Sequence, residues 1–236
     1  TFSRAEQRLL NEQKTNYIAL IIDDLGYRPT NDNRAIMLRG KICYAFLPNT
    51  PHAKRLAELA HRMNKEVILH LPMESEQGKV EEKNELTSSM DKETFIRLLE
   101  DNLSAVPYIS GINNHMGSLL TQSSRHMNWL MSFLISKTQI HQGLFFIDSR
   151  TSSKTIAQEV AMDYRIPNSR RNVFLDHIHT REAIEKQYHR LIKYAKKHGS
   201  ALAIGHPFEL TLSFLEEEII EQLLQLQQQQ QCQQQP

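Results

Sequence analysis

The chain has 236 residues, with 28 basic against 27 acidic side chains and a formal net charge of +1, so it lacks the basic field that nucleic-acid binding requires. Hydrophobic residues make up 40% and charged residues 23%, the balance of a soluble globular domain, and no apolar run approaches the roughly 20 residues that span a bilayer. Cys43 lies in an apolar run and Cys232 in a glutamine tract, which is neither a disulfide framework nor a cysteine metal site.

Residues 1–16 read as a polar flank with a weak helical pattern, and 223–236 as a glutamine-rich, disordered tail or an extension of the last helix. The chain starts at Thr1, not Met, consistent with a leader already removed. Between these ends, residues 17–222 read as one domain of short apolar runs alternating with helical patterns. The runs are Tyr17–Asp24, Ile42–Pro48, Glu66–Leu71, Gly111–His115, Gly143–Asp148, Val173–Asp176 and Ala201–His206. Thr50-Pro51 opens one intervening helix. Asp91 caps another, with Phe95, Leu98, Leu99 and Leu103 on one stripe. Thr180 caps a third, which Gly199 ends. Strands each followed by a helix imply parallel pairing, in a doubly wound sheet or a barrel.

The strongest signal is positional. Asp23-Asp24, His70, His115, Asp148-Ser149, Asp176 and His206 stand at the carboxyl ends of six of the seven expected strands. In α/β barrels that rim carries the active site. Asp and neutral His suit a divalent metal such as zinc. A spare carboxylate can take a proton from water, and a spare His can protonate a leaving group. Asp23 and Asp24 can divide the work of ligand and base only if the strand ends or bulges there, because neighbours on a regular strand face opposite ways.

The motifs IIDDLGY (Ile21–Tyr27), LHLPME (Leu69–Glu74), NNHMGS (Asn113–Ser118), FFIDSRTS (Phe145–Ser152) and AIGHP (Ala203–Pro207) follow one another over residues 16–222. In order and spacing they resemble the divergent polysaccharide deacetylase family. The resemblance implies an irregular (β/α)7 barrel with parallel strands and outer helices. It also implies a metal-dependent hydrolase that removes acetyl groups from an N-acetylated cell-envelope carbohydrate, in an extracytoplasmic location. By resemblance Asp23 is the general base, Asp24 a metal ligand, His70 a second ligand, His206 the general acid and Asp176 the residue that tunes it. The superfamily's second metal His is Glu74 here, so the third ligand is either Glu74 or His115. His115 is favoured because the turn at Gly117 presents it to the rim. Asn114, Asp148 and Ser149 are the expected substrate-binding residues. The superfamily's third motif places an Arg near the base, and the corresponding segment here has none. The second reading is a barrel that has lost its chemistry and binds glycan or a partner protein. The expected partner is carbohydrate, with no nucleic acid and no membrane span, and the sequence leaves the oligomeric state open.

Overall fold

Strands separated by helical crossovers must pair in parallel, because each crossover returns the chain to the same end of the sheet. In the computed structural model, which describes residues 16–78, 84–138 and 143–218, this gives β1 (Tyr17–Leu25), β2 (Cys43–Phe46), β3 (Glu66–Met73), β4 (Ile109–Met116), β5 (Phe145–Asp148), β6 (Asn168–Arg170), β7 (Val173–Phe174) and β8 (Ser200–Gly205). The helices are α1 (Pro29–Ile36), α2 (Ala53–Arg62), α3 (Lys92–Ala105), α4 (Ser124–Thr138), α5 (Ala157–Asp163) and α6 (Arg181–His198), and a further helical stretch runs over 209–218. Residues 1–15 of the flank and the glutamine tail lie outside the described residues. Among the described residues no helix is long and apolar enough to cross a membrane.

All ladders are parallel, in the order β6-β5-β4-β3-β2-β1-β8-β7. The two ends of that order, β6 and β7, are joined by Arg171 and Asn172 alone. A flat sheet of this order would hold its edges about 34 Å apart, far beyond the reach of two residues. The sheet is therefore rolled into a barrel, and β6 and β7 are two halves of one stave. The first half pairs with β5 and the second with β8. Across the join, Arg171 N donates to Asp148 O and Asn172 N donates to Leu202 O, each at 2.9 Å. Counted by staves, the barrel has the seven that the sequence implies. The sixth differs in extent: it starts at Asn168, ahead of the expected Val173. Its first half, Asn168-Ser169-Arg170, is polar and carries no apolar alternation to mark it.

The period-two alternation of each strand separates two cores. Ile21, Cys43, Ala45, Ile68, Ile147, Leu202 and Ile204 fill the barrel interior. Ile22, Tyr44, Phe46, Leu69, Leu71, Ile112 and Phe146 face outward against helix residues that include Leu56, Phe95, Leu99 and Leu134. Gly111 belongs to the inner set of β4. A Cβ there would stand 2.5 Å from the Phe145 ring, so only glycine leaves that ring its place.

Two of the expected caps form. Asp91 Oδ1 accepts from Thr94 N at 2.8 Å, and Thr180 Oγ1 accepts from Ala183 N at 3.3 Å. Gly199, at φ +85°, ends α6. The helix expected from Pro51 begins later, at Ala53, because His52 N donates to Gly26 O and holds the entry in a turn.

Candidate metal centre and active site

The inner parity of each strand continues into polar residues at the carboxyl rim. On β1 it runs from Ile21 to Asp23, on β3 from Ile68 to His70, on β4 from Gly111 to Asn113 and His115, and from β8 it runs from Ile204 to His206. Asp24 breaks parity. It adopts φ +60°, a left-handed conformation that Asp tolerates better than most residues, and the β1–β2 register shifts between Ile22 and Leu25. This bulge is the irregularity that two adjacent carboxylates need to serve one site. Met116 and Gly117, at φ +53° and +87°, turn the chain sharply after His115.

Asp24 Oδ1 lies 3.2 Å from His70 Nε2 and 3.1 Å from His115 Nδ1, and those two nitrogens are 3.0 Å apart. Ligand atoms on a tetrahedral zinc ion lie about 3.3–3.6 Å from one another, so the observed triangle is close to that of a three-ligand site. Asp24 Oδ1 is buried and forms no well-aligned hydrogen bond although two imidazoles approach it. One carboxylate and two imidazoles, with an oxygen left unsatisfied between them, fit a divalent cation. Glu74, the rival ligand, faces elsewhere: its Oε2 accepts from Ser88 N at 2.6 Å.

Asp23 and His206 flank this triangle. Asp23 Oδ2 is 3.6 Å from His70 Nε2, and His206 Nε2 is 3.7 Å from Asp24 Oδ2. His206 Nδ1 is fixed 2.9 Å from Asp176 Oδ1. Asp176 Oδ2 accepts from His206 N at 2.7 Å and from Thr211 Oγ1 at 2.8 Å, so the buried carboxylate is held through both oxygens.

These surroundings set the proton affinities. Burial raises Asp23 above the ordinary carboxylate range, with His70 and His206 opposing it. Burial also acts upward on Asp24, but the adjacent His115 and His70 outweigh it and hold that carboxyl well below the usual range. For His206, burial acts downward, and Asp176 reverses the balance so that its imidazolium persists above the ordinary His value.

The expected substrate-binding residues separate. Asn114 stands on the outer parity of β4, where Nδ2 donates to Met116 O at 2.7 Å and Oδ1 accepts from Ser149 N at 2.8 Å. Asp148 accepts from Arg150 N at 2.8 Å and from Thr155 Oγ1 at 3.0 Å. Both order the rim loops. Among the described residues, the buried Ser149 hydroxyl has no protein partner. Two further residues belong to the rim. Asn113 is wholly buried and bridges Asp23 and His70. Arg171, from the two-residue join of the sixth stave, donates through Nε to Ser149 O at 2.7 Å and through Nη2 to Arg150 O at 2.8 Å. Burial lowers its proton affinity, while the charges of Asp148 and Asp23 act on it in the opposite sense. Strand parity marks Asn113 in the sequence, since it shares a face with His115. No sequence signal marks Arg171, whose place beside the Ser149–Arg150 loop depends on barrel closure.

The sequence profile described as divergent polysaccharide deacetylase matches residues 20–229. The chain belongs to that family. Its motif resemblance therefore extends over nearly the whole described barrel. The chain is 37% identical over 200 residues to the uncharacterized protein YibQ of Escherichia coli strain K12, an alignment covering 85% of this chain and 61% of the relative. The chain thus spans about three fifths of that relative's length. Among solved structures it is similar to the uncharacterized protein ATU2773 from Agrobacterium tumefaciens C58, with a TM-score of 0.79 and 19% identity over 88% of this chain and 87% of that one. It is also similar to a mutant of BA3943, a CE4 family pseudoenzyme with restored enzymatic activity, with a TM-score of 0.51 and 14% identity over 89% of this chain and 64% of that one. At these identities the structural likeness speaks for the fold alone.

Proposed function

We propose that this member of the divergent polysaccharide deacetylase family is a metal-dependent hydrolase that removes acetyl groups from an N-acetylated cell-envelope carbohydrate in an extracytoplasmic compartment. Asp24, His70 and His115 would hold the ion, zinc by donor type. The observation that carries the reading is the placement of this metal-like triangle between Asp23 on one side and the His206–Asp176 pair on the other. When bound, the ion supplies Lewis acidity to a carbonyl and lowers the pKa of water. Asp23 accepts the proton that water loses on attack, a role favoured by the raised proton affinity that burial gives its carboxyl. His206, cationic beside Asp176, delivers a proton to the departing amine. One proton is taken and one is given, so the site returns to its starting state by a net transfer from His206 to Asp23 that solvent reverses. Arg171, bonded to the Ser149 and Arg150 carbonyls, holds the rim loop that follows Asp148 beside this site.

The test is acetate release from N-acetylated glycan fragments by metal-loaded wild type, Asp23→Ala and His206→Ala. Each substitution should lower kcat by about 10²–10⁴-fold. Equal rates in all three would remove the mechanism. No release by wild type across a broad panel would replace it with the glycan- or protein-binding reading.

A further inference from the structure

Asn113 uses both ends of its amide inside the barrel. Nδ2 donates to Asp23 Oδ1 at 2.8 Å, and Oδ1 accepts from His70 Nδ1 at 2.8 Å. We propose that Asn113 is a positioning residue that keeps the His70 proton on Nδ1, aiming the Nε2 lone pair at Asp24 and His115, and that the same amide orients Asp23. The proposal deepens the metal-hydrolase reading and rests on it for the roles of Asp23 and His70.

The argument follows from which atoms can donate. The Asn113 NH₂ group donates to Asp23 Oδ1, so the other end of the amide is the one that meets His70. The Asn113 carbonyl then faces His70 and can only accept, so His70 Nδ1 must carry the proton. Nε2 is left with its lone pair, 3.2 Å from Asp24 Oδ1 and 3.0 Å from His115 Nδ1. Without Asn113 the proton would move to Nε2, where Asp24 Oδ1 waits as acceptor, and a protonated Nε2 cannot ligate. Strand register makes the contact possible. Asn113 lies directly beside His70 across the β3–β4 ladder and on the same face, whereas Asn114 faces outward with its amide occupied by Met116 and Ser149. Asp23 reaches Asn113 only because the barrel closes, since β1 and β4 are three strands apart and would stand about 14 Å apart in a flat sheet.

Two variants separate the two arms. Asn113→Asp keeps an acceptor for His70 but has no amide donor for Asp23. Asn113→Leu keeps the volume and removes both bonds. Nitrogen-15 NMR of the metal-free protein at about pH 8.5, with His70→Gln to assign the ring, reports which nitrogen is protonated. Wild type and Asn113→Asp should show a proton on His70 Nδ1, and Asn113→Leu should shift it to Nε2. Zinc competition with a chelating dye should find Asn113→Leu weakened by about 10–100-fold and Asn113→Asp within about threefold of wild type. Asn113→Asp should nevertheless lose kcat with little change in KM. A deprotonated Nδ1 in wild type overturns the proposal without any variant, as does an unchanged tautomer in folded Asn113→Leu. The NMR measurement uses neither metal nor substrate. A wild type that releases no acetate, with the expected tautomers, would therefore defeat the deacetylase reading and leave the positioning role standing.

Discussion

Asp176 touches no candidate metal ligand, yet it decides the charge of His206. Its carboxylate outweighs the effect of burial and raises the His206 pKa, so the imidazolium survives to higher pH. If that imidazolium is the acid, the basic limb of kcat/KM against pH lies above the ordinary His value of about 6.5. Asp176→Asn removes the charge, so the basic limb should move to lower pH. An unmoved limb would take His206 out of the acid's role. The linkage has a matching sign in stability. The pair's contribution is fully present below about pH 6.5 and is lost as pH rises through the raised folded value. At the triangle, the ligands should separate cleanly. His115→Ala and Asp24→Ala should weaken zinc binding by at least about 100-fold in a dye competition, while Glu74→Ala, whose carboxylate bonds Ser88, should stay within about threefold. A loss of affinity in Glu74→Ala equal to that in His115→Ala would reinstate Glu74 as a ligand.

At the scale of elements, β4 carries the most constraint. Gly111, Asn113 and His115 share its inner face, the first yielding space and the others supplying chemistry. Gly111→Ala would push a methyl to 2.5 Å from the Phe145 ring, which packs partly buried against the interior cluster and must shift to admit it. Overpacking of this kind costs about 1–3 kcal/mol. Urea unfolding of Gly111→Ala should show that loss with an unchanged slope. A stability equal to wild type would mean that Phe145 relocates readily. β1 uses a different device, since its bulge at Asp24 converts a strand end into a two-carboxylate corner.

At the scale of the molecule, Arg34 ties the start of the barrel to its end. From α1 its Nε and Nη2 donate to the two carboxylate oxygens of Glu216 at 2.7 Å each, its Nη1 to Glu209 Oε1 at 2.6 Å and its Nη2 to Ser213 Oγ at 3.0 Å. The guanidinium and both carboxylates are partly exposed, so solvent screening holds the network to about 1 kcal/mol. Arg34→Ala should lower stability by about that amount and remove the network's own share of the acid dependence. Arg34 depresses the Glu216 pKa from its ordinary value of 4.5, so the network stabilises above that pH and the contribution fades as pH falls through the lowered value. Thermal unfolding of both proteins from pH 3 to 7 measures the difference, and coincident curves would show that the network contributes nothing.

Much of this protein is written in its local sequence. Alternation of apolar runs with helical stripes determines the parallel strands and outer helices, because burial on two faces leaves a period that can be read residue by residue. The Asp and His at strand ends announce a rim site, and the side-chain period of two places Ile21, Asp23, Ile68, His70, Asn113 and His115 on one face before any coordinates exist. Tertiary structure alone decided the rest. The split sixth stave has a polar first half, and its two ladders depend on which strands stand on either side of the join. That His115 stands beside Asp24 and His70 while Glu74 bonds Ser88 depends on the left-handed turn at Met116–Gly117 and on the loop that engages Glu74. Asn113 reaches Asp23 from a distant part of the chain, and closure of the barrel turns a strand separation of about 14 Å into hydrogen-bond contact across its interior. Periodicity is a property of neighbours along the chain; contact between strands far apart in sequence is created only when the sheet closes.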